Sequence, residues 1–289
     1  MIWKIDNDNL PGHLPYIPSA PEQLFINANS PKIFDELMQR PRIAIVGTRR
    51  ITAYGQQVTT QLASELAARG VVIISGLALG IDGAAHRAAL DAGGLTIAVL
   101  PGPVEDVYPR SHQALAKHIL KNNGALVSEY PAGSRGSVVN FVARNRIVVG
   151  LAKNLLITEA AENSGTMHTA RFALEQGIEI LAVPGNITSP TSAGANNLLK
   201  QGATPVTSTR DVLHALGLTE IDVAAKTARL IGKNQDEQAL LDLMERGISD
   251  GSELLQHSKL AVDAYNQTMT MLEITAKIRA LGANQWGLA

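Results

Sequence analysis

Between residues 43 and 216 the chain alternates short, continuous apolar runs with amphipathic stretches. Continuous runs rich in β-branched residues are typical of strands buried on both faces of a parallel sheet. The intervening stretches are helix-like, and Gly70, Gly93 and Gly177 follow three of them where a left-handed cap is expected. The runs span residues 43–46, 71–74, 95–100, 125–127, 155–157 and 180–183, and the three helix-like stretches span 58–69, 81–92 and 166–176. This alternation predicts a doubly wound, mostly parallel α/β sheet.

The ends of the chain have a different pattern. Residues 1–40 are weakly periodic and rich in proline from residue 9 onward, and they predict a lead-in with one short helix near residues 31–39. An α/β domain over 41–217 and a linker over 218–227 follow. Residues 228–289 contain three short helix-like segments and a terminal hairpin, which predict a winged-helix-like domain. From residue 226 onward, seven basic and eight acidic residues give a net charge of −1. A domain that binds double-stranded DNA is normally basic on its binding face.

Composition excludes several classes of protein. The 289 residues include no cysteine, which excludes disulfides, thiolate metal sites and a cysteine nucleophile, and fits a reducing cytosol. No apolar run approaches the ~20 residues that a membrane span requires. The N-terminus lacks the charged and apolar regions of a signal peptide. We therefore expect a cytoplasmic protein with no membrane partner.

Positive charge is concentrated locally, although the formal net charge is only −1. Residues 37–64, 130–158 and 180–210 contain no Asp or Glu but several Arg and Lys. Local cation clusters in a near-neutral protein indicate sites for a phosphate or a polyanion. Three loops that merely lack acids would produce the same charge pattern, so charge alone leaves both interpretations open.

Candidate ligand contacts follow the predicted strands. Ligands of doubly wound sheets bind beyond the carboxyl ends of the strands. A glycine, a hydroxyl and a guanidinium at such a turn can meet one phosphate, and glycine with serine at a helix start can form an anion-binding nest. Ordinary turn chemistry uses the same residues. The motifs are Gly47-Thr48-Arg49-Arg50, residues 75–82, Asn163-Ser164-Gly165-Thr166, and Pro184-Gly185-Asn186 before a helix that carries Lys200.

Known catalytic and cofactor motifs are missing from the sequence. It contains no phosphate-binding P-loop, no dinucleotide fingerprint, no nucleophile elbow and no zinc-protease motif. The seven histidines lack metal-ligand spacing, so we predict neither a metal nor another cofactor. His86 and His168 fit structural hydrogen bonding better than ligand contact. Asp82 fits a helix cap, or a carboxylate pair with Glu159.

The motifs together resemble those of the DNA-processing protein A family, also called DprA or Smf. The match extends from residue 44 to about residue 202. Its segments are residues 45–49, 75–82, 98–100, Tyr108-Pro109, Ser128-Glu129, 141–147, 164–166, 183–185 and 194–196. So many motifs in one order are highly specific.

The resemblance implies an extended Rossmann-like domain that binds single-stranded DNA, protects it, and loads the RecA recombinase onto it in natural transformation and recombination. It also implies a homodimer formed through that domain, and no enzymatic activity. Carried over by position, arginines contact phosphates, Phe141 stacks on a base, and the remaining motif residues complete the site. The implied DNA-binding residues are Gly47, Thr48, Arg49, Phe141, Arg144, Asn145, Arg146, Ser164, Gly165 and Thr166. The charge pattern adds Lys200 as a further contact.

Three positions depart from the family pattern. Thr48 stands where serine is usual, Leu79 where arginine is usual, and Val142 where proline is usual after Phe141. Leu79 removes one cation, and Val142 would loosen the turn expected after Phe141, so both departures predict weaker DNA binding. A rival prediction is a Rossmann-type nucleotide-processing enzyme similar to the lysine-decarboxylase-like phosphoribohydrolases. The loop that starts at Pro184 lacks the glutamate of their P-G-G-x-G-T-x-x-E signature.

Overall fold

The computed structural model describes residues 1–134, 137–218, 234–245, 248–275, 277–282 and 284–288. The chain divides into two compact units, Met1–Thr227 and Ala228–Ala289. The residues that the structure does not describe include 135–136 in one acid-free run, 219–227 of the predicted linker and 228–233 of the predicted winged-helix-like domain. Within these residues, no helix has both the length and the apolar character to cross a membrane.

A nine-stranded sheet forms the centre of the described N-terminal unit. Its strands are β1 (Ile2–Asp6), β2 (Gln23–Asn27), β3 (Arg42–Val46), β4 (Val72–Ser75), β5 (Thr96–Leu100), β6 (Ala125–Ser128), β7 (Asn154–Ile157), β8 (Glu179–Ala182) and β9 (Thr204–Pro205). They lie in the order β1-β2-β6-β5-β4-β3-β7-β8-β9. Every pairing from β6 to β9 across the sheet is parallel, and only β1 with β2 and β2 with β6 are antiparallel. The predicted mostly parallel Rossmann-like sheet is confirmed.

The sheet has one topological switch point, between β3 and β7. The chain builds β4, β5 and β6 outward on one side of β3, and then returns to build β7, β8 and β9 on the other side. The loops that leave β3 and β7 therefore diverge to opposite faces and open a crevice at the carboxyl ends of these two strands, where ligands of doubly wound sheets bind.

Helices cover both faces of this sheet. They are α1 (Pro31–Gln39), α2 (Ala53–Ala68), α3 (Ile81–Asp91), α4 (Gln113–Lys121), α5 (Val138–Gly150), α6 (Gly165–Glu175), α7 (Ala193–Lys200) and α8 (Thr209–Ala215). Side chains of β3 alternate between two apolar cores: Ala44 and Val46 pack with α1, α5, α6 and α7, whereas Ile43 and Ile45 pack with α2, α3 and α8. Burial on both faces explains why these strands are apolar throughout.

Residues 1–40 belong to the same compact unit as the sheet. The short helix predicted near residues 31–39 is α1, but the sequence analysis did not include β1 and β2. Leu24 and Ile26 of β2 are fully buried while their neighbours are half-buried, so this strand alternates and is not continuously apolar. A five-residue alternating segment is a weak signal beside the long apolar runs, and for that reason it was missed.

Residues 141–147 form part of α5, whereas the sequence analysis treated the segment around Phe141 and Val142 as a turn. Val142 therefore lies within a helix, not in a turn that it could loosen. The first residues of the helix include several valines, which favour strands, so the helical repeat of apolar residues was not evident from the sequence. This correction matters for the site, because helical geometry decides which residues of the segment can face one ligand.

The described part of the C-terminal unit contains three helices and one hairpin. They are α9 (Gln235–Glu245), α10 (Gly251–Ser258), α11 (Val262–Ile274), β10 (Ile278–Gly282) and β11 (Gln285–Leu288). Strands β10 and β11 pair antiparallel, and a small core includes Leu240, Leu254, Met269 and Leu272. The elements occur where they were predicted, and the winged-helix assignment itself stays a prediction.

Candidate functional site

A cavity of about 500 Å³ opens at the switch point between β3 and β7. We call it the Arg49 pocket. Its walls come from the loop after β3, the loop after β4, one face of α5 and the start of α6. It is lined by Val46, Gly47, Thr48, Arg49, Arg50, Gly76, Ala78, Asp82, Phe141, Val142, Arg144, Asn145, Val148, Asn163, Ser164, Gly165, Thr166 and Thr169. The structure thus brings together nine of the eleven predicted site residues.

The loop after β3 is held tightly against its neighbours. The Thr48 N–H donates to the Glu159 carbonyl at 2.8 Å, and the Ile81 N–H donates to the Thr48 carbonyl at 3.2 Å. A Cβ at Gly47 would lie 2.5 Å from Ile81 Cγ1, and a Cβ at Gly80 would overlap the Thr48 carbonyl oxygen. Glycine at both positions lets the backbones pass this closely. The loop is consequently a preformed part of the pocket wall.

Arg49 and Arg50 are exposed at the pocket wall. The guanidinium carbon of Arg49 lies 5.3 Å from the centroid of the Phe141 ring, a cation–π distance. Tyr108 meets the same ring edge-to-face, with the centroids 5.3 Å apart and the planes at 80°. The backbone N–H of Arg50 donates to the Thr48 hydroxyl at 3.1 Å. Positive charge and aromatic surface are therefore adjacent at this wall.

Arg144 lies at the floor of the pocket and is only 3% exposed. Its guanidinium donates to the carbonyls of Gly76 and Val99, at the ends of β4 and β5. Its Nε donates to Asn145 Oδ1 at 3.2 Å. Burial lowers the pKa of Arg144 to about 10, which Asp82 partly opposes. The side chain is mainly a clamp between α5 and the sheet.

Asp82 balances the charge of Arg144 beneath the pocket. Its Oδ2 accepts hydrogen bonds from the Gly76 N–H at 3.1 Å and the Ala78 N–H at 3.3 Å. Burial raises the pKa of this carboxyl, while Arg144 and the two backbone donors lower it. Asp82 therefore supports the loop after β4. It does not cap α3, because the N-cap is Gly80 and no side chain makes a capping hydrogen bond there, so the helix cap predicted from the sequence is wrong.

The start of α6 contributes Ser164, Gly165 and Thr166 to the pocket. The first amide groups of a helix have no intrahelical acceptor, and the helix dipole places partial positive charge there. The Ser164 hydroxyl is buried and has no hydrogen-bond partner among the described residues. This helix start therefore presents donors that a phosphate oxygen could satisfy.

Asn145 lines the pocket, but its side chain is partly engaged. Its Nδ2 donates to the Thr169 hydroxyl at 2.9 Å, and its Oδ1 accepts from Arg144. Thr169 belongs to α6, so Asn145 joins α5 to α6 behind the site. The amide therefore serves at least to hold two walls of the pocket together.

Arg146 and Lys200 do not line the Arg49 pocket, in contrast to the expectation from the sequence. Arg146 is 8% exposed, and its Nη2 lies 2.5 Å from Glu129 Oε1 after β6. Two residues along a helix rotate a side chain by roughly 200°, so Arg144 and Arg146 leave α5 on opposite sides. Lys200 is exposed at the end of α7. Their predicted phosphate contacts stay predictions, and the geometry of this pocket does not support them.

The other candidates weighed from the sequence lie outside the pocket. Glu159 accepts from the Thr52 hydroxyl at 2.7 Å and the Thr191 hydroxyl at 2.8 Å, and does not share a cavity with Asp82. His86 is fully buried and hydrogen-bonded to the Thr96 hydroxyl at 2.6 Å. Glu159 and His86 are therefore structural. The suggested carboxylate pair stays a prediction, and it is not supported by the hydrogen bonds of Glu159 to Thr52 and Thr191.

Among the residues that the structure places at the site, Arg50, Asn163 and Tyr108 were not in the set of implied DNA-binding residues. Arg50 and Asn163 line the pocket, and Tyr108 contacts Phe141. Arg50 and Asn163 each adjoin a predicted residue, so the motifs themselves contained the signal. Tyr108 is distant in sequence from Phe141, and only the tertiary structure brings the two rings together.

Comparison with known proteins identifies the family of the chain. The family model for DNA recombination-mediator protein A matches residues 1–217. The chain belongs to this family. The predicted resemblance is thereby confirmed, and the pocket lies within the matched part.

Individual members of the DNA recombination-mediator protein A family are similar at moderate identity. Protein Smf of Escherichia coli is 47% identical over 175 residues, which are 61% of this chain and 47% of that protein. A putative DNA processing protein DprA of Mycobacterium tuberculosis is 44% identical over 200 residues, 69% of this chain and 51% of the relative. The chain thus spans about half the length of these curated relatives.

Two solved structures of family members share the fold. DprA from Streptococcus pneumoniae has a TM-score of 0.67 at 34% identity, covering 74% of each chain. DNA processing protein A from Helicobacter pylori has a TM-score of 0.66 at 31% identity, covering 75% of this chain and 95% of that one. The Helicobacter structure is described as giving insight into the single-stranded DNA binding mode of that protein.

Proposed function

We propose that the Arg49 pocket binds the sugar–phosphate chain of single-stranded DNA. One observation carries the proposal: two exposed arginines, the partnerless hydroxyl of Ser164 and the start of α6 meet in one concave site. Each of these groups donates hydrogen bonds to anions. The described single-strand binding of the Helicobacter pylori relative supports the same ligand.

The charge of the lining favours a polyanion. Arg49, Arg50 and Arg144 against Asp82 leave a formal charge of +2, three minus one. Arg144 is buried and already engaged with carbonyl groups, so the two exposed arginines remain for phosphates. At ~0.7 per phosphate neutralised on a single strand, two phosphates predict a log–log salt slope of about −1.4 per subunit.

The shape of the site favours an unpaired strand. A cavity of about 500 Å³ has the dimensions of a small-molecule site and admits a short stretch of backbone. Duplex readers instead insert a protruding helix or ribbon into a groove about 12 Å wide. The aromatic rings beside the pocket can stack on bases that are not paired. Binding should therefore be tolerant of sequence and selective for single strands.

The cellular role that we propose follows the family. A protein that holds single-stranded DNA can protect it and present it to the RecA recombinase in transformation and recombination. Homodimerisation through the Rossmann-like domain would link two pockets and raise the affinity for one long strand. The cytoplasm is the compartment where such a role would be carried out.

The rival proposal is a nucleotide-processing enzyme. Asp82 is the only carboxylate that lines the Arg49 pocket in the described part of the chain, and its Oδ2 already accepts from two backbone amides. Acid–base catalysis would need a carboxylate free to reach the substrate. Release of free base from nucleoside monophosphates, assayed by chromatography, would favour the enzyme.

The test is an anisotropy titration of labelled single-stranded and double-stranded oligonucleotides at several salt concentrations. We expect Arg49→Ala to weaken single-strand binding for all sequences alike and to reduce the salt slope by about 0.7. Arg171→Ala is the matched control, because Arg171 is an exposed arginine paired with Glu175 outside the pocket. Lys200→Ala separately tests the contact predicted from charge.

Two results would contradict the proposal. Equal affinity for single and double strands would remove the argument from shape. A loss with Arg171→Ala as large as with Arg49→Ala would mean that binding follows the net charge of the protein and not this pocket.

A further inference from the structure

Tyr108 is a large aromatic side chain that stays exposed beside the Arg49 pocket. Its exposed fraction is 57%. Single exposed aromatic rings are common on protein surfaces, but this ring stands beside a cationic pocket, where an accessible face can stack on a base. Tyr108 lies outside the pocket lining and contacts Phe141, which belongs to it.

The loop that carries Tyr108 is anchored on both sides of the ring. Val107 is buried in the apolar cluster between α4 and the sheet. His112 is buried, and its Nδ1 lies 2.9 Å from the carbonyl oxygen of Leu77 in the loop after β4. The N–H of His112 also donates to the Pro109 carbonyl at 2.9 Å. The ring therefore projects from a fixed backbone.

Phe141 is less available than Tyr108 for a ligand ring. The guanidinium of Arg49 covers one face of Phe141, and Tyr108 meets the same residue edge-to-face. Phe141 is also half-buried in the pocket wall. At most one of its faces is free, whereas more than half of Tyr108 is accessible.

We infer that Tyr108 is the base-stacking platform of this site, and that Phe141 is a positioning residue for Tyr108 and Arg49. The inference rests on the proposed function. A strand whose phosphates lie against Arg49 and the start of α6 would direct a base out of the pocket toward the Tyr108 ring. Stacking on an aromatic ring accepts every base, which suits a site without sequence preference.

The experiment uses two fluorescent single strands, an oligothymidylate and a strand of the same length with abasic residues throughout. Dissociation constants are measured for wild type, Tyr108→Ala, Tyr108→Phe and the control Tyr16→Ala. Tyr16 is 86% exposed and has no aromatic partner among the described residues, so it matches Tyr108 in type and accessibility. Thermal unfolding shows that each variant is folded.

We expect Tyr108→Ala to weaken oligothymidylate binding by about 5- to 150-fold, the range for loss of one aromatic–base stack. The same variant should bind the abasic strand as the wild type does. Tyr108→Phe retains the ring and should bind both strands normally, as should Tyr16→Ala. Phe141→Ala should weaken binding of both strands, because it releases Arg49 as well as Tyr108.

Other outcomes would overturn the inference. Equal losses of Tyr108→Ala on the two strands would mean that Tyr108 only supports Phe141 and Arg49. No loss on oligothymidylate would mean that the ring does not touch the ligand. If the wild type binds neither strand, the proposed function itself fails, and that result is distinct from a failure of Tyr108.

Discussion

Arg144 tests the structure most directly, because the sequence and the fold assign it different roles. Its position in the arginine-rich motif predicts a phosphate contact, whereas the structure buries it and satisfies it with two carbonyl groups. Arg49 from the loop after β3 is exposed in the same pocket. Alanine substitutions at these two positions should therefore fail in different ways.

The magnitude for Arg144→Ala follows from what the substitution leaves behind. The carbonyls of Gly76 and Val99 lose a donor, and a buried acceptor without a partner costs about 1–3 kcal/mol. Asp82 also loses the nearby positive charge that favours its ionised form, and a buried charged group that loses a compensating interaction costs more than a neutral acceptor does. These terms overlap, so we expect the free energy of unfolding to fall by about 3–5 kcal/mol. The melting temperature would fall by about 6–20 °C.

The assay combines urea unfolding with the salt dependence of single-strand binding. Arg49→Ala removes an exposed cation–π contact of about 0.5–1 kcal/mol, so its stability should remain close to wild type while its salt slope falls. Arg144→Ala should lose stability, and its folded fraction should keep the wild-type salt slope. Arg49→Ala is thus expected to change the salt slope and not the stability, and Arg144→Ala the stability and not the salt slope.

One pair of results would refute this reasoning. If Arg144→Ala unfolds at the wild-type urea concentration and reduces the salt slope as Arg49→Ala does, then Arg144 contacts phosphate directly. The hydrogen bonds to Gly76 and Val99 would then contribute little to the fold.

Further predictions concern the loop glycines and a buried histidine. Gly80→Ala should lower both stability and single-strand affinity, because a Cβ there meets the Thr48 carbonyl and lies 2.8 Å from Arg49 Cα at φ +79°. Gly93 has a similar φ of +70° but open space around it. Gly93→Ala should therefore cost only about 1 kcal/mol of stability and leave binding unchanged. Comparison of the two variants separates the effect of the steric clash at Gly80 from the effect of the left-handed backbone. Burial lowers the pKa of His86 from 6.5 to about 3. As the pH falls below 6.5, the unfolded chain therefore binds a proton at this residue before the folded chain does. The free energy of unfolding should fall by up to about 1.4 kcal/mol per pH unit in this range. Urea unfolding across this range should show a shallower pH dependence for His86→Leu, and an unchanged dependence would contradict the assignment.

The chemistry of His86 illustrates why this effect is expected. The Thr96 hydroxyl donates to the Ile73 carbonyl at 2.6 Å, so it must accept from His86 Nδ1–H. His86 Nε2 is then the unprotonated nitrogen, and it is buried without a partner among the described residues. A proton at Nε2 would place an uncompensated charge in the core.

Much of the fold could be predicted because the strands are apolar on both faces. Continuous runs such as residues 43–46 leave few alternatives to a buried parallel strand. The N-terminal strands β1 and β2 were missed because neither is apolar throughout. No residue of β1 is buried and only alternate residues of β2 are buried, and five such residues resemble many loops. Helix α5 was missed for two reasons. Its β-branched residues are more typical of strands, and its arginine-rich segment was interpreted only as a DNA-binding motif.

The position of the site could be predicted in part, and its internal geometry could not. Glycine, hydroxyl and arginine after a buried strand point to the carboxyl edge of the sheet, where the Arg49 pocket lies. The motif from Phe141 to Arg146 was interpreted as one patch of charge. On a helix its two arginines diverge, so one lies beneath the pocket and the other pairs with Glu129.

The sequence by itself determined the class of fold, the edge of the sheet that carries the site, and the family. These depend on local patterns, namely apolar runs and short motifs, which can be recognised without knowing how distant segments pack together. Only the tertiary structure decided which cations remain free, since burial and hydrogen bonding depend on segments far apart in the chain. It separated the exposed Arg49 from the buried Arg144, and it brought Tyr108 against Phe141 from a loop that no local pattern connects to the pocket.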